Sequence, residues 1–181
     1  MSQIRNRVSA AVFAPNRLVA LTDGVFAIVM TLLVLDITIP EIAQSSLQAE
    51  LPRRILELWP KLLSYIISFI ILGMFWYLHH ESFHYIKRSD GGLIWLNIIF
   101  LMFVALIPFS TSLFGSYKTE QLPLVIYAIN VLLVLVMRFT LFRYATRKYR
   151  LVDSDISPRL VKWDILITIG FCFILMVMIG V

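Results

Sequence analysis

A chain of 181 residues that is 60% hydrophobic and 13% aromatic is too apolar for a soluble surface, and its mean hydropathy of +0.86 places it in a bilayer. The formal net charge of +5 does not point to nucleic acid, because the basic residues gather at the ends of apolar runs, where cytoplasmic loops and anionic headgroups hold them. Cys172 is the single cysteine and lies in an apolar run, so no disulfide framework is possible within the chain.

A bilayer core of about 30 Å takes roughly 20 helical residues, and five runs meet that length. The first, about 17–39, contains RLVALTDGVFAIVMTLLVLDI. It is longer than the short apolar core of a cleaved signal peptide and runs on into Thr38, Ile39, Pro40 and Glu41, so it reads as a retained span. SLQAELPRRILELW follows, amphipathic and charged, and is predicted to lie as a short helix at the interface. The second span, about 59–83, is interrupted only by His79, His80 and Glu81 near its end. The third covers about 93–114 and the fourth about 122–142, with Arg138 placed to snorkel back to the cytoplasmic interface. The fifth, about 163–181, ends on Gly180 and Val181 without polar loop, aromatic belt or basic anchor. The expectation is therefore an all-α integral membrane protein with five visible spans and a sixth to follow, folded as one domain over 1–181.

Lysine and arginine in short loops stay on the cytoplasmic side. Arg5, Arg7 and Arg17, then Lys87 and Arg88, then Arg143, Arg147, Lys148, Arg150, Arg159 and Lys162 fall on one side; Arg53, Arg54, Lys61 and Lys118 fall on the other. The N-terminus is thus expected in the cytoplasm.

Asp23 has two readings at this stage. An ionisable residue within a span is a functional candidate, since its burial is costly unless it is paired; equally, with Thr22 and Gly24 beside it, it can cap or hinge the helix near the interface. Ile28, Leu32 and Leu35 share one helical face, and such stripes are most often plain packing or lipid contact.

His80, Glu81 and His84 spell HExxH, in which two histidines one turn apart hold zinc and the glutamate acts as general base. An intramembrane zinc metalloprotease is therefore the rival reading from another class. It lacks a third ligand: Asp90, Asp153 and Asp155 fall in basic loops. A small transporter or a membrane assembly subunit is a third reading, but neither an internal repeat nor broken helices at the midplane are apparent. Asn97 and Asn130 are midspan polar groups suited to joining helices.

The sequence from Arg17 through Leu21, Thr22 and Asp23 resembles the RxxxFSD signature of the transmembrane protein 175 family, the potassium channels of endolysosomes and their prokaryotic relatives. GVFAIVMTLLVLDI is similar to the continuation of that family's first span, as are FWYLHH and WLNIIFLMFVALIPFSTSLFG to its second and third. Leu21 and Thr22 stand where the family has Phe and Ser, so a hydroxyl is kept. The resemblance implies a potassium-selective channel, homotetrameric because the signature occurs once, multi-pass in the plasma membrane, which for a prokaryotic member is the inner membrane. It implies a pore lined by the first span, with a hydrophobic gate at Ile28, Leu32 and Leu35 and a hydroxyl ring at Thr31. It also implies a polar network joining Arg17, Thr22 and Asp23 to His79 or His80, Trp95 and Asn97, with no catalytic or metal-binding residues and no cofactor; potassium ions and lipid are the implied partners.

The residues themselves are consistent with such a pore. No carbonyl filter of the TVGYG type occurs in the chain, and rings of Ile and Leu close by dewetting, since aliphatic carbon offers a stripped ion no replacement ligands.

Overall fold

The computed structural model describes residues 14–38, 41–117, 119–147 and 151–152, together with Leu166, Thr168 and Gly170. Among these, the chain forms α1 (Asn16–Leu32), continued by a 3-10 turn over Leu33–Asp36, then a 3-10 turn over Gln44–Ser46 leading into α2 (Leu47–Glu57). There follow α3 (Trp59–Tyr85), α4 (Gly91–Ala105), α5 (Ile107–Ser116) and α6 (Gln121–Thr146). Four stretches among the described residues are long and apolar enough to cross a membrane: Asn16–Asp36, Gln44–Tyr85, Gly91–Ser116 and Gln121–Thr146. The protein is thus a multi-pass helical membrane protein. The predicted fifth span lies almost wholly outside the described residues.

Proline chemistry sets several of the boundaries. Pro60 sits in the first turn of α3, where a missing N–H costs nothing, and Leu58 is the single residue separating α3 from α2. The third span, predicted as one run, is broken at Leu106 into α4 and α5. Pro108 explains this, because it cannot donate to the carbonyl four residues earlier and its ring crowds that turn. At the start of α4, Asp90 caps the helix by accepting from the Leu93 amide at 2.9 Å.

In lipid, apolar exposure carries no penalty, so helix association rests on close packing and on interhelical hydrogen bonds. Phe26, Val29 and Leu33 of the first span pack with Leu72, Phe75, Phe100, Val104 and Tyr127 in the main core. A second cluster at the other end holds Leu18, Phe83, Ile86, Leu93, Leu141 and Val152. There the amides of Lys87 and Arg88 donate to the Leu151 carbonyl at 3.0 and 3.2 Å, and Tyr144 donates to Asp90 at 3.0 Å. The segment with Lys87 and Arg88 therefore meets the one that follows α6 at one end of the bundle. Asp36, Lys61 and Ser112 meet at the other, where Ser112 donates to the Asp36 carboxylate at 2.6 Å and the Lys61 ammonium to its carbonyl at 3.5 Å.

Arg138 differs from its expected place. Its side chain is fully buried, and one guanidinium nitrogen lies 3.4 Å from the Thr168 hydroxyl. Arg138 stands on the face of α6 that is buried together with Val131, Val134, Leu135 and Leu141. α2 is amphipathic, with Arg53, Arg54, Glu50 and Glu57 in surface ion pairs and Ile55 and Leu56 exposed; such pairs are each worth little.

Candidate functional site: the first helix and its anchors

α1 is two-faced. Leu18, Thr22, Phe26 and Val29, then Leu33 after it, are buried against the other helices, spaced at the three and four residues that keep one helical face. The opposite side carries Arg17, Leu21, Gly24, Ile28, Thr31, Leu32 and Leu35, all exposed. Ile28, Leu32 and Leu35 are 61%, 44% and 68% exposed, so the described residues leave them uncovered. The Thr31 hydroxyl donates to the Ile28 carbonyl at 2.7 Å, which commits its proton and leaves its oxygen lone pairs outward.

A buried polar chain fixes the anchored face. Thr22 donates to the Leu18 carbonyl at 2.9 Å, so its oxygen must accept from Asn97 Nδ2, 3.0 Å away. Asn97 Oδ1 is then turned to His79 Nε2 at 3.0 Å, which makes Nε2 the protonated ring nitrogen. The His79 ring lies between Phe83 and Phe100, with centroids at 4.3 and 5.3 Å. Three spans are thereby joined by one polar side chain each.

Asp23 accepts from Trp76 Nε1 at 2.8 Å. Trp76 is the tryptophan that meets Asp23; Trp95, expected as a member of the polar network, is 68% exposed on α4. The reason is register: Asn97 takes the inward position, and Trp95, two residues earlier, is turned about 160° away. His80 stands outside the buried path, its ring 5.7 Å from that of Trp76. Arg17 makes no hydrogen bond to Thr22 or Asp23; it lines a cavity of about 470 Å³ with Leu18, Leu21, Ser89 and Ile94. Five residues before Thr22, it lies about 140° around the helix from that hydroxyl. Sequence reasoning missed Trp76, although it sits one turn before His79 and His80. It also missed a second buried network, in which Thr111 donates to Ser68 at 2.8 Å and Ser68 meets the Tyr127 hydroxyl at 3.0 Å.

His80, Glu81 and His84 are all exposed along α3, and the described residues hold no group of three or more His, Cys, Asp or Glu side chains able to hold a metal ion. Asp90, one candidate third ligand, is taken up by the Leu93 amide and the Tyr144 hydroxyl. Asp153 and Asp155 lie outside the described residues.

The family model of the endosomal/lysosomal potassium channel TMEM175 matches residues 17–108. A potassium channel of Streptomyces collinus is 38% identical over 106 residues, 59% of this chain and 50% of that protein. One from a Chryseobacterium is 36% identical over 119 residues, 65% of this chain and 58% of that protein. The chain thus spans little more than half the length of these relatives. Its fold is similar to the crystal structure of a lysosomal potassium-selective channel TMEM175 homolog from Chamaesiphon minutus, with a TM-score of 0.69 and 28% identity over 91% of this chain and 95% of that one.

Proposed function

The chain belongs to the family of the endosomal/lysosomal potassium channel TMEM175, a channel and not an enzyme, and on that premise we propose that four copies surround a potassium-selective pore lined by α1. The observation that carries this is the uncovered apolar face of α1 at Ile28, Leu32 and Leu35, set opposite a face pinned by the Thr22–Asn97–His79 path. In this reading the three residues stack as rings whose closure excludes water, since an ion shed of its hydration shell finds no oxygen ligands there. Thr31 supplies a ring of hydroxyl oxygens whose protons are held by the Ile28 carbonyl, an arrangement that favours a cation. Thr22, Asp23, Trp76, His79 and Asn97 position α1 and do not bind the ion. Potassium is the permeant species, with no cofactor, and the site of action is the plasma membrane, the inner membrane of a bacterial cell.

The test is ion flux through purified protein in liposomes, comparing potassium with sodium and caesium and following internal pH in parallel. Selective potassium flux is expected. Absence of any cation flux, or flux carried by protons alone, overturns the reading.

A further inference from the structure

We infer that Asp36 is a positioning residue of the constriction: its bond to Ser112 holds the chain in the 3-10 turn over Leu33–Asp36, and that turn sets where Leu35 points. The inference rests on the reading of α1 as the pore lining. Leucine is a strong helix former, and 3-10 geometry has the poorer hydrogen bonds, so LVLD would by itself continue α1 as regular helix. The chain tightens instead. Leu32 has φ −65° and ψ −28°, in the 3-10 range, and the Ile37 amide donates only three residues back, to the Val34 carbonyl at 3.1 Å.

The turn ends in a carboxylate, which the negative end of a helix disfavours. Two contacts offset this. Ser112 of α5 donates to the Asp36 carboxylate at 2.6 Å, the short distance of a charge-assisted O–H···O⁻ bond, and the Lys61 ammonium of α3 reaches the Asp36 carbonyl at 3.5 Å. Gly115, one turn after Ser112, brings α5 so near α3 that an added methyl would lie 3.3 Å from the Lys61 Cα. Both partners of Asp36 thus stand on one closely packed pair of helices.

Side chains three residues apart eclipse in a 3-10 turn. Leu33 and Asp36 therefore share the inward side, one buried and the other bonded to α5, while Leu32 and Leu35 share the outward side, where both are exposed. At the regular α-helical pitch, Leu35 would stand about 60° around from Leu32, and three residues would rise about 4.5 Å instead of about 6 Å. Releasing Asp36 therefore turns Leu35 by about 60° and draws it about 1.5 Å towards Leu32. Ile28 and Leu32 lie in α1 itself and keep their places.

The test reads the turn and the pore separately. In a Cys172→Ala background in nanodiscs, spin labels placed through Leu35→Cys are paired with labels through Leu56→Cys or Leu122→Cys, both exposed sites. Labelled chains are diluted into unlabelled ones, so that distances within one chain are read. Ser112→Ala should move the label at Leu35→Cys by about 5 Å against at least one reference, the chord of a 60° turn at the radius of a helical side chain. A label through Ile28→Cys should stay in place. Asp36→Ala, which removes the acceptor, should reproduce the shift, and Ser112→Thr, which keeps the hydroxyl, should restore the parent distances. In single-channel recording, Ser112→Ala should change the unitary conductance in the parent and in Ile28→Ala, but not in Leu35→Ala, where no bulky side chain is left to displace. A parent that passes no cation current fails the pore reading, while the distances still decide where Leu35 is held. Distances unmoved by Ser112→Ala and Asp36→Ala, equal shifts at Ile28→Cys and Leu35→Cys, or a conductance effect undiminished in Leu35→Ala each overturn the proposal.

Discussion

Thr22 and Asn97, on the first and third spans, are joined by a 3.0 Å hydrogen bond in which the amide nitrogen must be the donor, because the threonine proton is already held by Leu18. Thr22→Val removes the acceptor and strands the Asn97 amide in a dry interior. A loss of roughly 0.5–2 kcal/mol is expected, the range of interhelical bonds in membranes and of stranded polar groups. Thr22→Ser should restore most of it. Reversible unfolding in mixed micelles measures both; a Thr22→Val protein as stable as its parent would show the path to be ornamental.

The Asp23–Trp76 bond predicts coupling. Asp23→Asn, which keeps an acceptor oxygen but loses the charge, and Trp76→Phe, which removes the donor, should each destabilise the protein. The double variant should cost less than the two losses added, because without the indole N–H the charge at Asp23 has no partner left to lose. Potassium selectivity should be unchanged in all three. Additive losses, or selectivity that moves in Asp23→Asn while stability holds, would instead make Asp23 part of the ion path.

Around the constriction, neighbouring residues should behave in opposite ways. Ile28→Asn is expected to raise conductance and weaken discrimination of potassium from sodium, since a polar ring lets ions enter part-hydrated. Val29→Asn buries an amide in the core beside Phe26 and Leu33 and should mainly reduce folded yield. Val34, about 120° around from Ile28 at the α-helical pitch, is 47% exposed and is no buried control. The chain tightens to a 3-10 turn from Leu33, so angles counted at the α-helical pitch no longer hold there. Single-channel recording of both variants distinguishes the faces; similar small effects at both would remove the first span from the pore.

Gly115 permits the close approach of α5 to α3. A methyl group there would lie 2.5 Å from Ser64 Oγ and 3.3 Å from the Lys61 Cα. The hydroxyl can rotate away, but the backbone cannot yield cheaply, so Gly115→Ala should lower stability by about 1–3 kcal/mol. Thermal unfolding checks this, and a neutral result would mean that the two helices part without cost.

Zinc should be absent from purified, chelator-free protein, and His84→Ala should leave metal content unchanged, because His80, Glu81 and His84 project outward without a third ligand among the described residues. About one zinc per chain, lost in His84→Ala, would restore the protease reading.

The sequence by itself determined the membrane class, the apolar runs and the family. Run length against bilayer thickness and the spacing of the signature are local properties, readable without partners. The family resemblance implied Thr22 and Asn97 as network members, and regular helical pitch put Ile28 and Leu32 on one face, since it fixes angles between near neighbours. Only the tertiary structure decided which residues meet across spans. It brought Trp76 and not Trp95 to the network, chose His79 over His80, and buried Arg138 where an interface position was expected. Those outcomes depend on how each helix is rotated and how deep it sits, and both are set by packing against neighbours. The break of the third span at Leu106, by contrast, has a local cause in Pro108, which withholds an N–H from the turn before it.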